Sequence, residues 1–314
     1  MARPLRHMLR PYALFEVSIR TIQERFLLRP SAELNDIILG IIGRALMLYP
    51  GIRIYSFKFL SNHFHMILAA PDVYLLALFM NHINSNIARQ AGRLHHWHDK
   101  FWSRRYRPLS IEDDAVLVET TKYGLAQGCK EGLVAHPLDW PGVSSDRALL
   151  FGEKIEGTWY DRSAFNEAER RGKQVRLRDY AVQYEVPLTT LPILEGKSEE
   201  EQRSFYQGLV DEIAQETYQA CIDEGKQVLG TEAILDQEPH ARPFHSKRSP
   251  APLCRASTRE GRMRYRRLYR KFVSLYRQAV ERLRQGDENV KFPEGCFLPP
   301  LLCPPHLVEA AAPG

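Results

Sequence analysis

Two histidines separated by one residue stand in the run Ser61-Asn62-His63-Phe64-His65-Met66-Ile67-Leu68. In an extended strand, residues i and i+2 face the same side, roughly 6.5–7 Å apart at Cα, and the residue between them faces the other. His63 and His65 can then converge on one divalent cation, while Phe64 points into a core. Such a pair also occurs as a plain hydrogen-bonded couple. A second run, Thr121-Lys122-Tyr123-Gly124-Leu125-Ala126-Gln127, offers a hydroxyl and an amide four residues apart. On a helix both project from one face and could meet the histidine pair. Taken alone, Tyr123 reads as a half-buried helix tyrosine and Gln127 as a solvated amide.

Two basic segments supply charge. Trp102, Arg104, Arg105, Tyr106 and Arg107 combine phosphate-binding cations with rings on which bases can stack, or form an edge strand guarded by charge. Arg259 to Gln285 reads as a helix with Tyr265, Leu268, Tyr269, Phe272, Leu275 and Tyr276 on one face, completed by Ala279. Its other faces are largely arginine, including Arg266 and Arg270, which could grip phosphates.

The elements that must position these residues are legible from periodicity. Residues 12–20 alternate as a half-buried strand, and Ser31 caps a helix over 32–48 that Pro50-Gly51 stops. Residues 52–70 read as two strands joined by a turn near Ser61-Asn62. A helix over 72–89, ended by Gly92, a strand over 101–111, and a helix from the Glu112-Asp113-Asp114 cluster to about Cys129 follow. Strand, helix, strand, strand, helix, strand, helix is the order of a ferredoxin-like split βαβ fold with an extra helix, an α+β class with an antiparallel sheet. The expected organisation is a catalytic domain over 1–152, a mixed and mainly helical extension over 153–235, a connector over 236–258, and a basic helix and tail over 259–314.

Composition narrows the class. Net charge is +5, too mild alone to prove a polyanionic partner, but the cations cluster at 100–107 and 255–284. Five scattered cysteines without a Cys-x-x-Cys pair indicate neither a disulfide framework nor a standard zinc module and suit a reducing cytoplasm. Cys296, Cys303 and His306 lack a defined further ligand. The basic N-terminus is followed by no apolar run of signal length, and no stretch approaches the roughly 20 apolar residues of a membrane span, so neither export nor membrane insertion is expected.

The ordered set Asn62-His63-Phe64-His65, Phe101-Trp102-Ser103-Arg104-Arg105-Tyr106, Tyr123, Lys130-Glu131-Gly132-Leu133-Val134 and Trp140-Pro141-Gly142-Val143-Ser144-Ser145 resembles the single-tyrosine HUH transposases, including the REP-associated tyrosine transposases of bacteria. The resemblance covers residues 8–152 and leaves a long extension. It implies an HUH nuclease domain in which His63, His65 and the Gln127 oxygen hold Mg²⁺ or Mn²⁺. Tyr123 would then attack a scissile phosphate of single-stranded or hairpin DNA, giving a 5′-phosphotyrosyl link and a free 3′-OH, with a homodimer as one form the family uses. The alternative on the same scaffold is a non-catalytic, sequence-specific DNA-binding protein.

Overall fold

β1 (Leu14–Arg20), β2 (Arg53–Leu60) and β3 (His63–Ala69) alternate in character, so the sheet they build has two unlike faces. In the computed structural model, which describes residues 7–244, 252–287 and 289–298, Phe15, Val17, Ile19, Phe64, Met66 and Leu68 meet α1 (Ala32–Leu48) and α2 (Val73–Leu94) in one core. The alternate positions, among them Glu16, His63, His65 and Ile67, face the other way. There, β4 (Arg107–Ile111) leads into α3 (Asp114–Leu125), and Leu117 and Leu125 join Ile67 and Ala69 in a second core. Chemistry is thus sorted onto the α3 face by a period of two.

The strands lie in the order β2-β3-β1-β4 and pair antiparallel throughout. With the two intervening helices this is the ferredoxin-like split βαβ arrangement expected from the sequence. The helix starts are built as their residue types require: Ser31, Asp72 and Asp113 each accept an otherwise unpaired backbone N–H from the first turn of the helix they precede.

Four boundaries differ from expectation. β1 begins at Leu14 rather than residue 12. α2 runs through Gly92 to Leu94, where His95 caps it. Residues 101–106 are not strand: Phe101 and Trp102 turn their rings into the first core, and only a single bridge joins Trp102 to Thr21. α3 stops at Leu125 rather than near Cys129, because the buried Lys58 Nζ takes the Leu125 carbonyl at 2.9 Å and Gly128 turns with φ of 93°.

The remainder packs onto this domain. α4 (Asp146–Phe151) is followed by a hairpin of β5 (Glu156–Tyr160) and β6 (Ala181–Glu185) that encloses α5 (Arg162–Arg170). The hairpin rests on α1 at Gly40, where a Cβ would lie 2.1 Å from the Thr158 backbone carbon, so only glycine permits the approach. α6 (Glu199–Glu224) covers α3 and α4: Tyr206, Val210 and Ile213 enter the second core, and Lys122 pairs with Glu212 and Glu216. Residues 153–235 therefore hold a two-stranded sheet as well as helices and close over the tyrosine helix.

After α7 (Thr231–Leu235), β7 (Cys254–Arg255) adds a fifth strand parallel to β4, and α8 (Arg259–Arg284) follows. The segment expected as a connector thus contributes to the sheet. On α8, Tyr265, Phe272 and Ala279 are buried at seven-residue spacing, and His7 stacks on Phe272 with ring centroids 4.0 Å apart. Leu268 and Leu275, expected on the same face, are exposed because the buried stripe is narrower than the apolar one. Among the described residues no helix is long and apolar enough to cross a membrane.

Candidate active site

β3 carries both histidines to the α3 face, with ring centroids 5.2 Å apart and planes nearly perpendicular. Each ring is held by its Nδ1. His63 Nδ1 lies 2.6 Å from Asn62 Oδ1, and the Asn62 amide is oriented because its Nδ2 donates to the Glu24 carbonyl. His65 Nδ1 lies 2.8 Å from Glu16 Oε1 on the neighbouring strand. With Nδ1 facing an oxygen acceptor in each case, the neutral form of either ring carries its lone pair on Nε2.

Across the cleft, α3 presents Tyr123, whose ring centroid is 5.5 Å from that of His65. Gln127 does not share the helix as the four-residue spacing suggested; it sits fully buried in the turn beyond the Ala126 cap. It still reaches the centre, because its Nε2 donates to the Tyr123 carbonyl at 3.2 Å and thereby points Oε1 at His63 Nε2, also 3.2 Å away. Two cations lie over the tyrosine ring: Lys130 Nζ at 4.4 Å and Arg255 Cζ at 5.2 Å from its centroid. Arg255 also donates from Nε to Glu16 Oε2, so Glu16 joins His65 to the C-terminal segment.

Electrostatics follow from this wiring. Burial lowers His63 to about 3, reinforced by the charges of His65 and Arg20, although a hydrogen bond to Gln127 Oε1, open only to the protonated ring, works the other way; the ring is neutral at neutral pH. Burial would raise the Glu16 carboxyl, but the hydrogen bond and charge of His65, with those of Arg255, outweigh it and hold Glu16 at about 2. Burial raises the Tyr123 hydroxyl above its ordinary value, with the Gln127 hydrogen bond and Arg255 opposing. The phenol therefore needs nearby positive charge to react as a nucleophile.

The donor set fits a divalent cation. A neutral His63 that donates from Nδ1 turns a lone pair on Nε2 toward the lone pairs of Gln127 Oε1, and two acceptors aimed at one point are relieved by a cation between or beside them. His65 Nε2 is free to join them, and the Glu16–His65 pair is the carboxylate–imidazole arrangement that orients metal-bound histidines. No group of three His, Cys, Asp or Glu residues gathers at a metal-binding spacing among the described residues, so a cation here would need the Gln127 amide oxygen beside the two imidazoles. Imidazoles suit transition-metal ions, and an amide oxygen suits harder ions such as Mn²⁺ and Mg²⁺.

The other residues singled out by the sequence are distributed differently. Arg104 and Arg105 are exposed beside the sheet, and Arg107 is half-buried with its guanidinium on the Pro252 carbonyl. Tyr106 is buried, and Trp102 packs edge-on against Phe64 and donates its indole N–H to the Asn84 carbonyl. The core's demand for apolar volume at that edge withdraws Tyr106 from solvent, whereas Trp102 keeps part of its surface. Arg266 and Arg270 are exposed on α8. Cys296 is a free buried thiol, while Cys303 and His306 lie outside the described residues. Sequence reasoning missed Glu16 and Arg255. The first had a signal, an acid on the polar side of an otherwise apolar strand; the second is brought in across 239 residues, with no local mark.

No protein-family model matches the chain, and no curated protein does. Among solved structures, a REP-associated tyrosine transposase bound to a REP hairpin is similar at a TM-score of 0.40 and 17% identity, covering 48% of this chain and 87% of that one. A candidate transposase from Deinococcus radiodurans is similar at a TM-score of 0.28 and 15% identity, covering 36% and 88% respectively. At these values both are distant likenesses, and the chemistry of this chain rests on its own residues.

Proposed function

We propose that this protein is a metal-dependent enzyme that nicks single-stranded or hairpin DNA and rejoins strands through a phosphotyrosyl intermediate on Tyr123. One observation carries the reading: His63 and His65, from one strand, meet Tyr123 and Gln127, some sixty residues on, on one face of the sheet, with an oxygen acceptor facing Nδ1 of each imidazole. His63, His65 and the Gln127 oxygen would hold Mg²⁺ or Mn²⁺. When bound, such an ion supplies Lewis acidity toward a phosphate.

The chain's own residues do the rest. Tyr123 Oη forms a bond to phosphorus as the bond to the 3′ oxygen breaks; the phenolic proton passes to solvent and the departing oxygen is protonated as a 3′-OH. Lys130 and Arg255 beside the ring favour the phenolate-like nucleophile. Because the tyrosyl ester conserves the phosphoester energy, another 3′-OH can displace Tyr123 and join strands without ATP. The exposed Arg104, Arg105, Arg266 and Arg270 supply positive surface for the DNA backbone.

The test is covalent trapping. With Mn²⁺ and a pool of randomised single-stranded and hairpin oligonucleotides, the wild type should form an adduct that survives denaturing electrophoresis. Tyr123→Phe should form none while retaining binding; His63→Ala and His65→Ala should abolish the adduct, as should chelator, and Gln127→Ala should weaken it. An adduct that persists in Tyr123→Phe or in excess chelator overturns the reading. Binding without any adduct in the wild type favours the non-catalytic DNA-binding protein.

A further inference from the structure

The C-terminal segment reaches the site through one side chain. β7 pairs with β4 for two residues, Ser110 with Cys254 and Ile111 with Arg255, and the Arg255 carbonyl accepts the Glu112 N–H at 3.0 Å. This fixes the backbone from which Arg255 projects. Its Nε is engaged by Glu16 Oε2, its Cζ is 5.2 Å from the Tyr123 ring centroid, and its side chain keeps 31% of its exposure. Among the described residues Glu16 binds Nε alone, so the fork of Nη donors remains available beside the tyrosine.

We propose that Arg255 is a catalytic residue that binds the scissile phosphate and stabilises the charge that develops on its non-bridging oxygens as Tyr123 attacks. This rests on the proposed tyrosine chemistry and assigns the C-terminal extension a direct part in it. A guanidinium suits this role because it stays charged and because two parallel N–H donors match two phosphate oxygens. Glu16 preorganises it, so little freedom is lost on substrate binding. The same carboxylate orients His65, which couples the phosphate clamp to the imidazole pair through one residue. Arg255 keeps its proton throughout; the bond changes are those at phosphorus, Tyr123 Oη and the 3′ oxygen.

The experiment uses the full chain and an oligonucleotide that the wild type traps from the randomised pool. The adduct-forming rate of Arg255→Ala should fall ~100-fold or more, the scale for removal of one charge-stabilising donor. Arg255→Lys, which keeps the charge and loses the fork, should recover only part. A structural role for the Glu16 pair is separated by a second readout in a Tyr123→Phe background. There, replacing the scissile phosphate with an uncharged methylphosphonate should weaken binding to protein with Arg255, and should weaken it clearly less once Arg255→Ala is added, when only the bound cation still meets the phosphate charge. Equal weakening in both backgrounds overturns the proposal, as does an unchanged trapping rate in Arg255→Ala while the wild type still traps. If the wild type traps nothing from the pool, the tyrosine reading itself fails and the assignment of Arg255 falls with it.

Discussion

Glu16 and His65 meet on a diagonal across two strands: in register Glu16 pairs with Ile67 and Ser18 with His65, yet Glu16 Oε1 lies 2.8 Å from His65 Nδ1. Diagonal neighbours are within reach of long side chains, and this one sets which imidazole nitrogen is left to ligate. Glu16→Gln retains an acceptor for the Nδ1–H and removes the charge. Mn²⁺ affinity, read by calorimetric titration, should weaken by about 10- to 100-fold with the fold intact. Unchanged affinity would show that the carboxylate only packs against the ring.

The buried pair of Lys58 and Asp146 secures the end of the tyrosine helix. Their side chains are 1% and 3% exposed, 2.7 Å apart, and Lys58 also caps the Leu125 carbonyl. Lys58→Met should cost about 3–5 kcal/mol in urea unfolding by leaving Asp146 uncompensated, and adding Asp146→Leu should recover much of that. A single variant as stable as wild type would mean that water reaches the pair.

On α8, Arg266 and Arg270 are exposed whereas Tyr265 and Phe272 are buried, so the arginines can be removed without touching the core. Arg266→Ala with Arg270→Ala should lower the slope of log affinity against log salt for duplex DNA by about 0.9 for each phosphate that is no longer neutralised. An unchanged slope would make this face a solvated one. Deleting the chain from residue 255 is a poorer test, since it also removes a strand residue and the buried stripe.

Acid should destabilise the fold in a defined window. Burial lowers His7, His82 and His95 from 6.5 to about 4, in the last two with neighbouring arginines adding to the effect. Between those values the unfolded chain binds protons that the folded chain refuses, so stability is full above about 6.5 and falls as the pH drops toward 4. Urea midpoints at pH 7, 6 and 5 should decline in that order; a flat series would contradict the neutral buried state of these rings.

The sequence by itself determined what depends on near neighbours. Alternation in β3 put His63 and His65 on one side and Phe64 on the other, Ser31 and the Glu112–Asp114 cluster marked helix starts, and the order of elements specified the split βαβ sheet. These follow from periods of 2 and 3.6 and from capping, which are properties of short stretches. Local pattern misplaced what distant groups decide. The tyrosine helix stopped short of Cys129 because Lys58, 67 residues before Leu125, claims the carbonyl that the Cys129 N–H would otherwise take, and Tyr106 was drawn into the core. Arg255 reached Tyr123 because a parallel strand closes on β4 from the far end of the chain. Pairing across such separations is settled by packing and by the satisfaction of buried charge, and neither leaves a periodic trace in the residues that take part.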